Sequence, residues 1–211
     1  SKQNENTLSQ LKKSIKLVKF FETDIRRLAS GEFYISHDLQ LELTSENSAI
    51  EHAQIWRNIN CRVALNIKEL GYEEDLVNFL KGEDLLKNVF LFDFDIEFLG
   101  ADPQGYINRI SNFEPKLECA VRVSDHGESV GRALSITGAR IIWLDEFDKF
   151  WVTEADIVRL KAAGKIIYCV APDLHGFSLE ETRKRVRDFI EWGADGICTN
   201  YPLLLGQILA K

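Results

Sequence analysis

Glu22 and Asp24 stand one residue apart in the stretch FFETDIR, residues 20–26, where a short apolar run closes. Along an extended chain residues i and i+2 point the same way, so these two carboxylates share a face. Oxygen ligands placed like this suit a hard divalent cation, Mg²⁺ or Ca²⁺. His37, followed by Asp38 where the next run closes, can carry a proton near neutral pH. Lys68 and Arg122, each at the end of a further apolar run, can balance an anionic substrate, and a phosphate suits both. A cation with fixed positive side chains stabilises charge building on phosphoryl oxygens. The inventory reads as metal-assisted cleavage of a phosphodiester. Each part also has a plainer reading. Glu-x-Asp can be a strand-end ion pair or turn, His37-Asp38 a helix-capping turn, and Lys68 and Arg122 the partners of core acids. Asp93 and Asp95 in FLFDFDIEF either join the same group or cap a strand end. His52, inside a helical pattern, reads as structural, and His126, in SDHGES, as a loop or helix-start residue.

What must position these groups is an alternation of two patterns. Short apolar, β-branched or aromatic runs occupy 18–25, 62–68, 88–96, 119–124, 140–145, 165–171 and 196–199. Between them lie segments with helical spacing. TLSQLKKSIKLV places Leu8, Leu11, Ile15 and Val18 on one stripe. Thr153 caps a helix that stops at Gly164, and Ser178 with Glu181 forms a capping box for one that stops at Gly193. Further helices are predicted near 46–59, 73–81, 105–112, 128–137 and 203–210. Strands alternating with helices give a parallel sheet covered by helices. With no Gly-x-Gly-x-x-Gly after a strand, the dinucleotide signature is missing. Seven such strands fit two architectures, an open doubly wound sheet or a TIM (β/α)₈ barrel, in either case a single domain, 1–211. In a parallel barrel the C-terminal ends of the strands emerge on one rim, where sites are built. The spacing seen at Glu22 and Asp24 recurs at Asn66 and Lys68, Arg122 and Ser124, Trp143 and Asp145, and Cys198 and Asn200. The first strong pattern is a helix, so the expectation is that the barrel's first strand precedes Ser1.

Composition excludes several partners. Acids are scattered and net charge is −7, which argues against a duplex nucleic acid. The densest basic run, RKRVRD at 183–188, reads as a solvated helix face. No window approaches the ~18 uninterrupted apolar residues of a membrane span. The polar start SKQNENTLSQLKK lacks the apolar core of a signal peptide. The four Cys have no CxxC spacing and three fall in strand-like runs, so buried thiols in a cytoplasmic protein are expected. The chain contains no Met, and its natural start is expected upstream.

The segments NENTL (4–8), FFETDIR (20–26), ISHD (35–38), LNIK (65–68) and ADGICTNYP (194–202) together resemble the glycerophosphodiester phosphodiesterase family. Four of these motifs fall in the family's order across the first half, and the resemblance runs over nearly the whole chain, with 85–165 weakly diagnostic. It implies a TIM barrel that hydrolyses glycerophosphodiesters to glycerol 3-phosphate and an alcohol, with a divalent cation and two histidines as acid and base. By position it implies Glu22 and Asp24 as metal ligands, His37 as one proton-transfer histidine, and Lys68 facing the phosphate. Arg122 and Trp143 stand where strand-end residues line the substrate mouth.

Four departures from the family pattern stand out. The family's His-Arg-Gly on the first strand has no counterpart in residues 1–4, and a chain without it should be inactive. The third metal ligand, a Glu in many members, is here Asn66, whose carbonyl oxygen can coordinate but brings no charge. The last strand ends TNYP, with Asn200 for the usual Asp. YCVAPDLHG (168–176) replaces the usual aromatic-Thr-Val-Asn ending and puts Asp173 and His175 on a rim loop, with His175 a candidate substrate contact. These point to a divergent branch acting on a different alcohol or polyol. The alternatives are a catalytically silent barrel that binds a phosphorylated ligand, or a lyase that leaves a cyclic phosphate. The expected partner is a soluble small-molecule phosphodiester, since no basic amphipathic surface helix stands out.

Overall fold

The computed structural model describes residues 6–59, 61–93 and 102–209, and divides into two compact units that meet in sequence at Cys119 and Ala120. In the first unit, helix α1 (Leu8–Ser14) starts at Thr7, whose side chain accepts the Gln10 N–H. It leads into strand β1 (Phe20–Arg27). A turn through Gly31, at φ +109°, folds the chain back into β2 (Phe33–Ile35), antiparallel to β1. Helix α2 (Ala49–Asn58), strand β3 (Arg62–Ile67), helix α3 (Glu73–Gly82), strand β4 (Val89–Phe92) and helix α4 (Pro103–Phe113) follow. Strands run in the order β2-β1-β3-β4, and β5 (Glu118–Val123) joins β4 through Glu118 and Cys119. All pairs except β1–β2 are parallel.

In the second unit, the rest of β5 is followed by α5 (Val130–Ser135), β6 (Ala139–Leu144), α6 (Glu154–Ala162), β7 (Ile166–Val170), a short 3₁₀ turn (Pro172–His175), α7 (Leu179–Trp192), β8 (Gly196–Cys198) and α8 (Pro202–Leu209). β6, β7 and β8 pair in parallel. The Thr153–Asp156 and Ser178–Glu181 capping boxes both form, and Gly193 ends α7 at φ +94°. Gly196 faces Tyr168 so closely that a Cβ there would lie 2.6 Å from the ring. That contact demands glycine in β8.

All seven predicted apolar runs become strands, whereas β2 was not foreseen. Its three residues are too short to show a period of two, and only their pairing in the fold reveals them. In the run 88–96, strand structure covers Val89–Phe92, and Asp95 lies outside the described residues. Val63, Leu65, Phe90 and Leu91 are wholly buried, each contributing about 1.5–3 kcal/mol by leaving water. The basic run at 183–188 is only partly solvated. Arg185 is buried, paired with the fully buried Glu146, and it stacks near Phe189 and Trp192. Charge patterning cannot reveal an arginine that turns inward to a distant acid.

All four cysteines are free, and burial pushes the Cys61 thiol up to about 11 and that of Cys119 up to about 12. His52, in α2, is buried, and its Nδ1 meets the Ser48 carbonyl at 3.0 Å. Desolvation lowers its pKa, against smaller upward pulls from the Ser48 carbonyl, Glu46 and Glu51. The unfolded chain takes up this proton near pH 6.5 and the folded chain below that. The stabilisation from neutral His52 is therefore complete above about pH 6.5 and is lost as pH falls below it. The urea midpoint of the protein should fall over that range more steeply than that of His52→Leu, and parallel pH profiles would refute this.

Candidate functional site

In the first unit, Asp24 and Asn66 are register partners on β1 and β3, with Glu22 opposite Ala64 one step earlier. Partners in register lie on one face, and so does the i+2 residue, which places Glu22, Asp24, Asn66 and Lys68 together. Asp24 is 5 % exposed. Its Oδ2 accepts from Asn6 Nδ2 at 2.7 Å, and its Oδ1 lies 3.6 Å from the ammonium of the buried Lys68. Thr23 Oγ1 donates to the side-chain Oδ1 of Asn6 at 2.6 Å, so Asn6 fastens the residue before the strand's acid as well as the acid itself. Asn66 Oδ1 is buried and, among the described residues, has no hydrogen-bond partner. An orphaned amide oxygen beside a carboxylate costs free energy unless something fills the gap.

The donor set here is two carboxylates and one amide carbonyl, all hard oxygens, and it fits Mg²⁺ or Ca²⁺. Among the described residues, the one trio of His, Cys, Asp or Glu ligand atoms within reach of a single ion is different: Asp125, His126 and Asp148, in the second unit. Both Asp125 oxygens there accept backbone N–H groups, from Phe147 and Asp148, and His126 already meets Asp148 at 2.8 Å. Burial of Asp125 opposes ionisation, but those two N–H groups prevail and hold its pKa below the usual value. That trio ties two loops together.

His37 follows β2. The hairpin brings the chain back to β1, where the Ser36 N–H reaches the Asp24 carbonyl at 3.1 Å. The imidazole is 69 % exposed, with Nδ1 2.9 Å from Asp38 Oδ1. It caps no helix.

In the second unit, Arg122 and Asp145 form a buried ion pair at the ends of β5 and β6. The other Asp145 oxygen takes His175 Nε2 at 2.6 Å. Asp173 anchors the 3₁₀ turn that carries His175, accepting from Thr199 Oγ1 at 2.8 Å and the Asn200 N–H at 2.9 Å. The Phe147 ring lies 4.6 Å from that of His175. Trp143, two residues before Asp145 on β6, is buried. The plainer reading of both cations, as partners of acids, thus holds for Lys68 with Asp24 and for Arg122 with Asp145. A cation paired in this way can still turn spare N–H groups to an anion.

The chain matches no protein-family model and no curated protein sequence. Solved structures do match it. A protein of Galdieria sulphuraria assigned as a glycerophosphodiester phosphodiesterase superposes with a TM-score of 0.74 at 17 % identity, over 98 % of this chain and 92 % of its own. The glycerophosphodiester phosphodiesterase of Agrobacterium tumefaciens gives 0.67 at 16 %, over 95 % and 92 %. A phosphodiesterase of Oleispira antarctica, in complex with the product sn-glycerol-3-phosphate, gives 0.69 at 15 %, over 99 % and 92 %. The fold is that of the glycerophosphodiester phosphodiesterases. It is of the TIM-barrel type that the family resemblance implied, one of the two architectures the alternation allowed.

Three side chains of these clusters carry no site role on sequence grounds alone. Asn6 sits in plain view within NENTL, but only the folded β1 shows that it holds Asp24. Asp145 has the strand-end spacing of Trp143, and its bond to His175 depends on a turn that no pattern foretells. Arg26 continues the face of Glu22 and Asp24 by one more step, a signal that was available.

Proposed function

We propose that this protein is a phosphoric diester hydrolase that uses a divalent cation, Mg²⁺ or Ca²⁺, to convert a glycerophosphodiester into a phosphomonoester and an alcohol. The observation that carries the reading is the unpaired Asn66 Oδ1 held in register with Asp24. The likeness in fold to enzymes that act on glycerophosphodiesters supports it. Glu22, Asp24 and Asn66 would hold the cation, which supplies positive charge to the phosphoryl oxygens when bound. Lys68, buried and held by Asp24, presents an ammonium to the phosphate without the cost of ordering a mobile side chain. His37 exchanges a proton with the reacting oxygen; its exposure leaves Nε2 open to substrate. Arg122, Trp143 and His175, all in the second unit, are kept as candidate substrate contacts, with His175 tied to Asp145. The phosphomonoester we favour is glycerol 3-phosphate, the product bound by the Oleispira protein. We place the reaction in the cytoplasm, a reading that the four free thiols support. Among the described residues no helix is long and apolar enough to cross a membrane.

His37→Ala should lower kcat by about 10²- to 10⁴-fold, the usual share of one proton-transfer group, in steady-state assays of the full-length polypeptide. Unchanged kcat removes His37 from the mechanism. The second reading, a silent barrel that binds a phosphorylated ligand, draws support from the uncharged Asn66. It predicts binding of a phosphomonoester with no turnover of any phosphodiester.

A further inference from the structure

We infer that Arg26 is the positioning residue for His37, an assignment that rests on the proton-transfer role proposed for that histidine. Arg26 stands two residues beyond Asp24 on β1. Its Nε and Nη2 both donate to a single acceptor, the His37 carbonyl oxygen, at 2.9 and 2.7 Å. Its Nη1 donates to Glu69, the residue after Lys68. One guanidinium therefore ties the chain that bears the histidine to the strand that bears the two acids and to the residue next to the phosphate-facing lysine.

The need for such a tie follows from the rest of the geometry. The His37 imidazole is 69 % exposed, and its Nδ1 bonds to its own neighbour, Asp38, which is itself exposed. An exposed ring follows the placement of its backbone. The hairpin ladder ends at Ile35, paired with Ile25, and the last backbone bond before the histidine is that of Ser36 to Asp24. Beyond it, Leu39 at 75 % and Leu41 at 95 % exposure add little packing, and the far side is held by hydrogen bonds at Gln40, from its N–H to Tyr34 Oη at 3.2 Å and from its side chain to Ser36 Oγ at 3.4 Å. Arg26, with only 13 % of its side chain exposed, supplies what packing does not.

Lysine cannot take over this task. A guanidinium offers a planar fork of five N–H donors, enough to chelate one oxygen with two and bind a carboxylate with another, whereas an ammonium is a compact point donor. A shift of about 1 Å in a catalytic group costs about a hundredfold in rate.

The test is steady-state kinetics on a glycerophosphodiester with Arg26→Lys, Arg26→Ala and His37→Ala, with thermal midpoints measured alongside. Arg26→Lys should lose about 10- to 100-fold in kcat with KM within a few-fold. Added methylguanidinium should restore part of the kcat of Arg26→Ala and none of that of His37→Ala. Truncation in Arg26→Ala vacates the guanidinium's own place, in an open groove lined by Phe33, Ile67 and Glu69, and the small cation can enter there. If Arg26→Ala does not fold, Arg26→Lys carries the decision. A collapse of His37→Ala alongside wild-type kcat in Arg26→Lys, or loss in Arg26→Ala that methylguanidinium leaves untouched, overturns the positioning role alone. Wild-type kcat in His37→Ala overturns it together with the proton-transfer reading.

Discussion

Glu22→Gln should lower phosphodiester turnover by about 10³-fold, the several kcal/mol that a well-placed cation contributes to a charged transition state. The substitution keeps the size of the side chain and one carbonyl oxygen, and it removes the charge. Glu22 is the cleaner of the two acids to test. Asp24 also holds Lys68, buried at 4 % side-chain exposure, so Asp24→Asn would mix a lost ligand with a weakened ion pair. Glu22 is only part-buried, and β1 is pinned to β3 by a six-residue register. The thermal midpoint should therefore move little. A titration of kcat against Mg²⁺ or Ca²⁺ should show saturation displaced to higher cation concentration. Wild-type turnover with an unchanged cation requirement would remove Glu22 from the metal site.

Glu146→Ala should cost about 3–5 kcal/mol of folding stability, the usual result of stripping one partner from a buried ion pair. Glu146 is fully buried, and one of its oxygens also accepts the backbone N–H groups of Trp151 and Val152, each at 2.9 Å. Arg185 sits at 7 % side-chain exposure, and besides the carboxylate it donates to the Val152 carbonyl at 2.7 Å. Removal of the acid leaves a desolvated guanidinium and two unsatisfied N–H groups in the loop that begins just after Asp145. Urea denaturation measures the loss. Arg185→Met combined with Glu146→Ala should cost less than the sum of the two single changes, because no charge is then stranded. A single-variant cost below about 1 kcal/mol would mean that water reaches the pair and that it behaves as a surface bridge.

Much of this architecture could be read from spacing alone. Apolar runs of four to nine residues between capped helical stretches announce strands whatever their neighbours, and Thr153, Ser178, Glu181 and Gly193 marked helix ends because capping is local chemistry. The shared face of Glu22 and Asp24 was equally local. What spacing could not supply was any partner chosen by tertiary structure. Arg185 looked solvated because its acid is 39 residues away. The strand Phe33–Ile35 exists through its pairing with β1 and a bridge from Tyr34 to Ser48. His175 was visible as a departure from the family pattern, but Asp145 as its partner depends on how the turn at Pro172 closes. Asn66 was legible as a weaker ligand, while its unpaired buried oxygen required neighbours to be in place.

The central claim is that this chain cleaves a glycerophosphodiester with the help of a cation held at Glu22, Asp24 and Asn66. Phosphorus NMR of a glycerophosphodiester incubated with the full-length polypeptide tests it most directly, once with Mg²⁺ or Ca²⁺ and once with EDTA. The account predicts a growing phosphomonoester resonance with the cation and none with the chelator. A diester signal that persists in both samples, or a monoester that grows equally fast in EDTA, would contradict it.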